Sequence, residues 1–360
     1  MVGGHSVEGS EMDRIMFDKR KRDARLLSPL LNFDLETQQI EFRKDPLTGR
    51  WCRLNLKRTE RVKHTGESEE RALMDIVAKS RGNCFFCPEN LESKTPKFPY
   101  DLIPEGRLKV GSACLFPNLF PFGEYHAVGI FSEEHYLRLN EFSPELISNC
   151  VKACLEYLVR VYAEHPDVQY GLINWNHMFP AGASILHPHL QILADHRPTC
   201  YLEELLTKSA EYYKKYGGNY WSDLVAVEKA NQVRLIGETG AITWLASYAP
   251  QGNNEVLGVF SGVSALSRLK GSHVEDFSLG LSKILRGYHD KGVRSFNMTV
   301  YPGPMGQDLE YYSLNVKLIS RPSPNIFYTC DAGFMERLHD EMVIETRPEK
   351  TAEELKKYLQ

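Results

Sequence analysis

The sequence predicts an α+β protein built from two tandem repeats, each a mostly antiparallel sheet with helices packed on one face. Three observations carry this. Val128-Gly-Ile-Phe-Ser132 has a near copy at Leu257-Gly-Val-Phe-Ser261. A long helical pattern follows each copy, at 143–165 and at about 273–291. Two strand-like segments follow each helix, 168–176 with 187–194 and 295–301 with 312–320. A supersecondary unit that recurs in the same order is the signature of an internal duplication.

Residues 1–39 are charged and weakly patterned, and 1–30 read as an extension or a peripheral helix. Residues 124–132 are short, apolar and β-leaning. Ser143 is a helix cap, with Pro144 in the first turn and Glu145 near the positive end of the helix dipole. Leu146, Val151, Cys154, Leu155, Leu158 and Val159 are expected on the face that meets the sheet. Residues 201–230 read as a polar helical connector stopped by Gly217-Gly218. The segment 242–250 echoes 114–121 as an apolar run before a turn, and 348–360 is a short charged helix. The expected division is 1–39 extension, 40–200 first repeat, 201–230 connector and 231–360 second repeat.

The chain has 360 residues, 42% of them hydrophobic, enough for a substantial core and about two domains. Lys and Arg number 43 against 47 Asp and Glu, a net charge of −4, which argues against broad coating of nucleic acid. No stretch approaches the length a membrane helix requires, and the N-terminus carries no apolar signal core, so a cytoplasmic protein is expected. The eight cysteines are expected as thiols or metal ligands.

The chemistry concentrates in His187-Pro-His189-Leu-Gln191. On a strand, residues 187, 189 and 191 share one face. The small-residue run Pro180-Ala-Gly182-Ala-Ser184 lets backbone approach a phosphate, and Asn176 ends the preceding strand. A nucleophilic imidazole, an amide donor and a small-residue turn together suit attack on phosphorus. Cys84-Phe-Phe-Cys87 is ambiguous between zinc and redox chemistry, but Pro88 and a loop-like context follow it instead of a helix start after a strand. Zinc requires two further ligands, for which histidine is a common choice.

Gly182-Ala-Ser-Ile-Leu-His-Pro-His-Leu-Gln191 resembles the active-site motif of the galactose-1-phosphate uridylyltransferase branch of the histidine-triad superfamily. The resemblance covers about residues 40–355 and implies histidine-triad-like repeats. It implies that His189 becomes nucleotidylated, that Gln191 bonds the phosphoryl group of the intermediate, and that Ser184 and Asn176 hold phosphates within the turn containing Gly182. It also implies a closed, structural zinc site of Cys84, Cys87, His135 and His187. Phe116-Pro-Asn118-Leu-Phe-Pro121 resembles the turn that borders base and ribose, which singles out Asn118. Residues 43–51 resemble the N-terminal signature, and the arginines after it, Arg58 and Arg61, match residues that contact substrate phosphate, partly across a homodimer interface.

The second repeat has no counterpart of the histidine motif and reads as a scaffold, with Lys317 as a surface lysine. Leu190 stands where glycine or serine is commoner in the hexose transferases, and His-x-His-Leu-Gln is similar also to the diadenosine tetraphosphate phosphorylases. The expected activity is transfer of a nucleoside monophosphate between a nucleotide sugar and a hexose-1-phosphate. The alternatives are a phosphorylase whose acceptor is inorganic phosphate, acting on ADP-glucose, GDP-glucose or a diadenosine polyphosphate, and a zinc-stabilised nucleotide-binding module without turnover.

Overall fold

The computed structural model describes residues 14–60, 70–324 and 330–360. The first elements are a β-hairpin, β1 (Lys19–Ser28) and β2 (Asp34–Lys44), followed by β3 (Trp51–Leu54). Residues 19–28, expected as an extension or a peripheral helix, are thus a strand, because ten consecutive residues pair with β2. Helices α1 (Glu70–Arg81) and α2 (Pro88–Lys94) come next.

The first half of the main sheet contains β4 (Leu108–Val110), β5 (Ala113–Pro117), β6 (Tyr125–Ile130), helix α3 (Pro144–Glu164), β7 (Tyr170–His177) and β8 (His189–Asp195). Helices α4 (Cys200–Tyr216) and α5 (Tyr220–Asn231) follow. The second half contains β9 (Leu235–Thr239), β10 (Ile242–Ala246), β11 (Asn253–Phe260), helix α6 (Gly271–Asp290), β12 (Ser295–Tyr301) and β13 (Asn315–Arg321). The chain ends with α7 (Phe334–Leu338), β14 (Met342–Ile344) and α8 (Pro348–Leu359).

The ten-stranded sheet runs β4-β5-β6-β8-β7-β12-β13-β11-β10-β9. Its named pairings are antiparallel, so the chain is α+β with mostly antiparallel sheet. The order reads the same from either edge, and the two five-stranded halves meet at β7 and β12, with Asn176 opposite Asn297. The registers also correspond. Gln191 pairs with Val128 in the first half, and Lys317 pairs with Leu257 in the second. A smaller sheet, β1-β2-β3-β14, is tied to the rest by Arg43, which bonds Glu41, the Tyr248 carbonyl and Glu349 of α8.

Helix α3 begins where expected. The Ser143 hydroxyl accepts the Leu146 N–H at 3.2 Å, and Pro144 occupies the first turn. Val151, Cys154 and Leu158 are buried as expected, with Leu146 and Leu155 packed against the core, and the buried stripe extends through Ile147, Cys150, Tyr157 and Val161; Val159 alone of the expected face is exposed. Helices α3, α6 and α8 cover one face of the sheet, meeting Trp175, Leu190, Ile192, Val316 and Leu318.

The other face is not bare. Leu202, Leu205 and Tyr212 of α4, with Trp221, Leu224 and Val227 of α5, pack on Leu172, Leu245, Leu257 and Val259. The expectation of helices on one face only is therefore corrected, and 201–230 is not a polar connector. Its Leu and aromatic side chains bury against strand residues that alternate with those of the first core.

Candidate active site and metal centre

Strand β8 sits between β6 and β7, and its alternation sends Leu190, Ile192 and Ala194 into the core under α3. Positions 189 and 191 therefore lie on the opposite face. His189 is buried, and its Nδ1 lies 2.8 Å from the His187 carbonyl oxygen. A carbonyl only accepts, so Nδ1 carries the proton and Nε2 holds the lone pair. Burial lowers the His189 pKa and keeps the ring neutral at neutral pH. Phe86, from the middle of the Cys-x-x-Cys segment, meets the His189 ring edge-on with centroids 5.3 Å apart.

Gln191 points its Oε1 to within 3.2 Å of His126 Nε2, and Asn118 Nδ2 lies 3.1 Å from the same nitrogen. The Asn118 Oδ1 accepts the Phe120 N–H at 2.9 Å, so Asn118 both shapes the turn and reaches the Gln191 cluster. Asn176, at the end of β7, accepts a 2.7 Å hydrogen bond on Oδ1 from Asn297 Nδ2. The small-residue turn follows β7. Gly182 has φ +93°, a conformation that disfavours any side chain, and a Cβ there would stand 3.7 Å from Asn176 Nδ2. Met178 enters the turn at φ 72° and ψ 165°, a region costing about 1–3 kcal/mol for a non-glycine residue. Packing of its buried side chain with Leu73 and Leu186 holds it there. Gly182 and Ser184 are exposed on the open side of this turn.

The structure brings Cys84, Cys87, His135 and His187 together, all buried, with their ligand atoms within 4.8 Å of one another. Cys87 Sγ lies 3.3 Å from His135 Nδ1 and 3.7 Å from His187 Nδ1. With metal–sulfur bonds of about 2.3 Å and metal–nitrogen bonds of about 2.0–2.1 Å, tetrahedral ligands stand about 3.5 Å apart, so the donor set fits a tetrahedral ion. The outer nitrogens are already committed. His187 Nε2 donates to the Ser132 carbonyl at 2.8 Å, and His135 Nε2 meets Ser80 Oγ at 2.9 Å. Both rings thus turn an unprotonated Nδ1 toward the sulfurs. Burial drives His187 down to about 4, with His135 and His189 nearby adding to the effect. Burial, with Cys84 beside it, pushes the Cys87 thiol up to about 12, so ionising it at this spacing calls for a cation.

Other expected residues stand apart. Arg58 lies 3.9 Å from Glu345, in a cleft lined also by Lys291, Arg321 and Asp331, to which His189 and Gln191 do not contribute. Arg61 lies outside the described residues. Lys317 is corrected from a surface lysine to a largely covered one, its side chain 11% exposed. Its Nζ sits 3.3 Å from the Glu255 carboxylate and 3.0 Å from the Tyr201 hydroxyl, because α4 covers this face of β13. None of the eight cysteines is joined in a disulfide. Among the described residues no helix is long and apolar enough to cross a membrane. Sequence reasoning missed Phe86, His126, Met178 and Asn297. Only Phe86 carried a local signal, its place between the two cysteines.

The structure matches an ADP-glucose phosphorylase from Arabidopsis thaliana with bound ADP-glucose, with a TM-score of 0.68, 18% identity, and coverage of 88% of this chain and 98% of that one. It matches a uridylyltransferase with a TM-score of 0.65 and 20% identity, over 89% of this chain and 98% of that one. The fold is the one these two proteins share, as the resemblance of the sequence motif led us to expect. The chain belongs to one family with an uncharacterized protein of Archaeoglobus fulgidus, which is 30% identical over 338 residues, 93% of this chain and 97% of its relative. No family model matches the sequence.

Proposed function

We propose that the protein is a nucleotidyltransferase that works through a covalent nucleotidyl-histidine. The observation that carries the reading is the His189 Nδ1 hydrogen bond to the His187 carbonyl, which leaves a neutral ring with its lone pair on Nε2. Nε2 attacks the α-phosphorus of a nucleotide sugar. The N–P bond forms as the bond to the bridging oxygen breaks, and the sugar-1-phosphate leaves as an anion without taking a proton. A phosphate oxygen of the acceptor then attacks the same phosphorus, and the N–P bond breaks. The proton stays on Nδ1 throughout, donated in the hydrogen bond to the His187 carbonyl. Gln191, Asn176 and the turn of Gly182 and Ser184 act as uncharged donors around the phosphates.

Zn²⁺ is the ion we assign to Cys84, Cys87, His135 and His187. When bound, it anchors the first histidine of the motif and so fixes the strand that carries His189. The matching strand order and registers of the two halves support an ancient duplication, with 40–200 catalytic and 231–360 degenerate. A hexose-1-phosphate is the acceptor we favour, with Arg58 and Arg61 contributing to phosphate binding in a cytoplasmic homodimer. Inorganic phosphate, with ADP-glucose, GDP-glucose or a diadenosine polyphosphate as donor, is the alternative.

The test is to incubate the metal-replete protein with labelled UDP-glucose, ADP-glucose, GDP-glucose and diadenosine tetraphosphate in turn, acceptor withheld. The expected result is an acid-labile, base-stable nucleotidyl adduct on His189, discharged by a hexose-1-phosphate or by phosphate. Turnover of a donor with no adduct on His189 would replace double displacement by direct transfer. Binding without turnover of any donor would leave a nucleotide-binding module.

A further inference from the structure

We propose that Asn297, contributed by the second half of the sheet, is the positioning residue that sets the donor direction of Asn176 toward the substrate phosphate. The proposal rests on the functional reading above, in which Asn176 contacts that phosphate. Asn297 lies on β12 directly opposite Asn176 on β7. Its Nδ2 is 2.7 Å from Asn176 Oδ1 and 2.8 Å from the Ala181 carbonyl oxygen, at the start of the small-residue turn. Its Oδ1 is 2.7 Å from Arg321 Nη1.

An amide has two orientations, and the neighbours decide between them. Here both anchors are unambiguous. A guanidinium only donates, so the oxygen of Asn297 must face Arg321. A carbonyl only accepts, so its nitrogen must face Ala181. The same nitrogen then donates to Asn176, which forces the Asn176 oxygen inward and its NH2 outward. That NH2 lies beside Gly182, 3.7 Å from where a Cβ would stand. Arg321 is itself fixed, its Nε and Nη2 bonding the Asp331 carboxylate at 2.6–3.0 Å. The chain Asp331–Arg321–Asn297 therefore spends its polarity on orienting one amide in the other half of the molecule. A donor aimed in advance needs no reorganisation when charge develops on the phosphorus oxygens.

The experiment is a double-mutant cycle read as the rate of His189 labelling, on metal-replete protein with each variant's melting temperature and metal content checked. Asn297→Asp keeps the contact with Arg321 but replaces the donating nitrogen by an acceptor, so Asn176 must turn its oxygen toward the phosphate. Loss of one aimed donor should slow labelling by about tenfold to a hundredfold, with KM changed less than kcat. In an Asn176→Ala background the same substitution should change the rate by less than about threefold. Arg321→Met, which frees Asn297 to rotate, should show the same dependence with a smaller loss. Equal losses in both backgrounds, as a general charge or folding effect would give, overturn the proposal, and so does an undiminished rate in Asn297→Asp.

Failure of the functional reading shows differently, as absence of label on the wild type with UDP-glucose, ADP-glucose and GDP-glucose. The cycle is then read as affinity for ADP by calorimetry. Weakening by Asn297→Asp only when Asn176 is present upholds the positioning role. Equal weakening, no weakening, or a wild type that does not bind ADP overturns it.

Discussion

Cys87→Ser should remove the metal and cost several kcal/mol, and the amount follows from what the substitution strands. Cys87 and His187 are fully buried, and His135 is 2% and Cys84 6% exposed, so water does not replace a lost ion. His135 Nδ1 and His187 Nδ1 both face Cys87 Sγ, while their other nitrogens are committed to Ser80 and Ser132. Losing the ion therefore leaves three buried donor groups without it, the two imidazole nitrogens and the Cys84 sulfur. At about 1–3 kcal/mol for each buried polar group left unsatisfied, the loss is about 3–9 kcal/mol. At about 2 °C per kcal/mol in a large domain, the melting temperature should fall by about 6–18 °C. The control is Cys114→Ser, which alters a buried thiol of the same apolar cluster outside the four ligands. It should retain the metal. The assay is metal analysis by mass spectrometry alongside scanning calorimetry, with and without a chelator. A Cys87→Ser protein that keeps a full equivalent of metal would refute the ligand assignment. A wild type whose melting temperature moves less than about 2 °C on chelation would refute the energetic argument.

Three further outcomes are expected. Burial lowers His177 to about 3, and also lowers His126 and His189. The unfolded chain binds these protons near pH 6.5 and the folded chain does not, so stability is complete above that pH and is lost as pH falls toward about 3, at up to about 1.4 kcal/mol per pH unit per histidine. Urea midpoints measured between pH 7 and 4.5 should fall steadily, and a flat profile contradicts the assignment. Lys317→Met strands the fully buried Glu255 carboxylate and should cost about 3–5 kcal/mol by urea unfolding, most of it recovered by adding Glu255→Gln. No recovery would mean that the pair is not the source of the loss. Gly258→Ala places a Cβ 2.6 Å from Trp244 Cζ3 and 2.7 Å from Val316 Cγ1, and should destabilise by about 1–3 kcal/mol or more, whereas Gly271→Ala meets nothing within 4 Å and should not. Equal melting temperatures for the two variants would contradict the packing.

What the sequence disclosed was local. Ser143 and Pro144 announce the start of α3 through cap chemistry that acts within one turn. Strand β12 was legible to the residue because alternation and flanking turns suffice. The histidine motif and the Cys-x-x-Cys pair carried their chemistry in a few adjacent letters, and the structure brings His135 and His187 to the two cysteines. What stayed hidden depends on partners far away in the chain. The spacing of Leu202, Leu205, Ser209 and Tyr212 in α4 shows a buried stripe, but the charged residues between them obscured it. Lys317 reads as a surface residue until α4 is seen to cover β13. Asn297 is 121 residues from Asn176, and only strand register makes the two neighbours. His126 likewise joins Gln191 across 65 residues.

The seam between β7 and β12 also sets the order in which the molecule matures during synthesis. Strand β7 ends at His177, but the strand that pairs with it begins at Ser295, about 120 residues later. At about 5–20 residues per second, the nascent chain carries β7 as an open edge for about 6–24 s. For that interval His189 and Gln191 already exist in covalent order, yet Asn176 has no partner to hold its amide. An unfinished chain therefore lacks the Asn297 contact to Asn176, and its exposed edge strand offers chaperones a place to bind and other chains a place to aggregate.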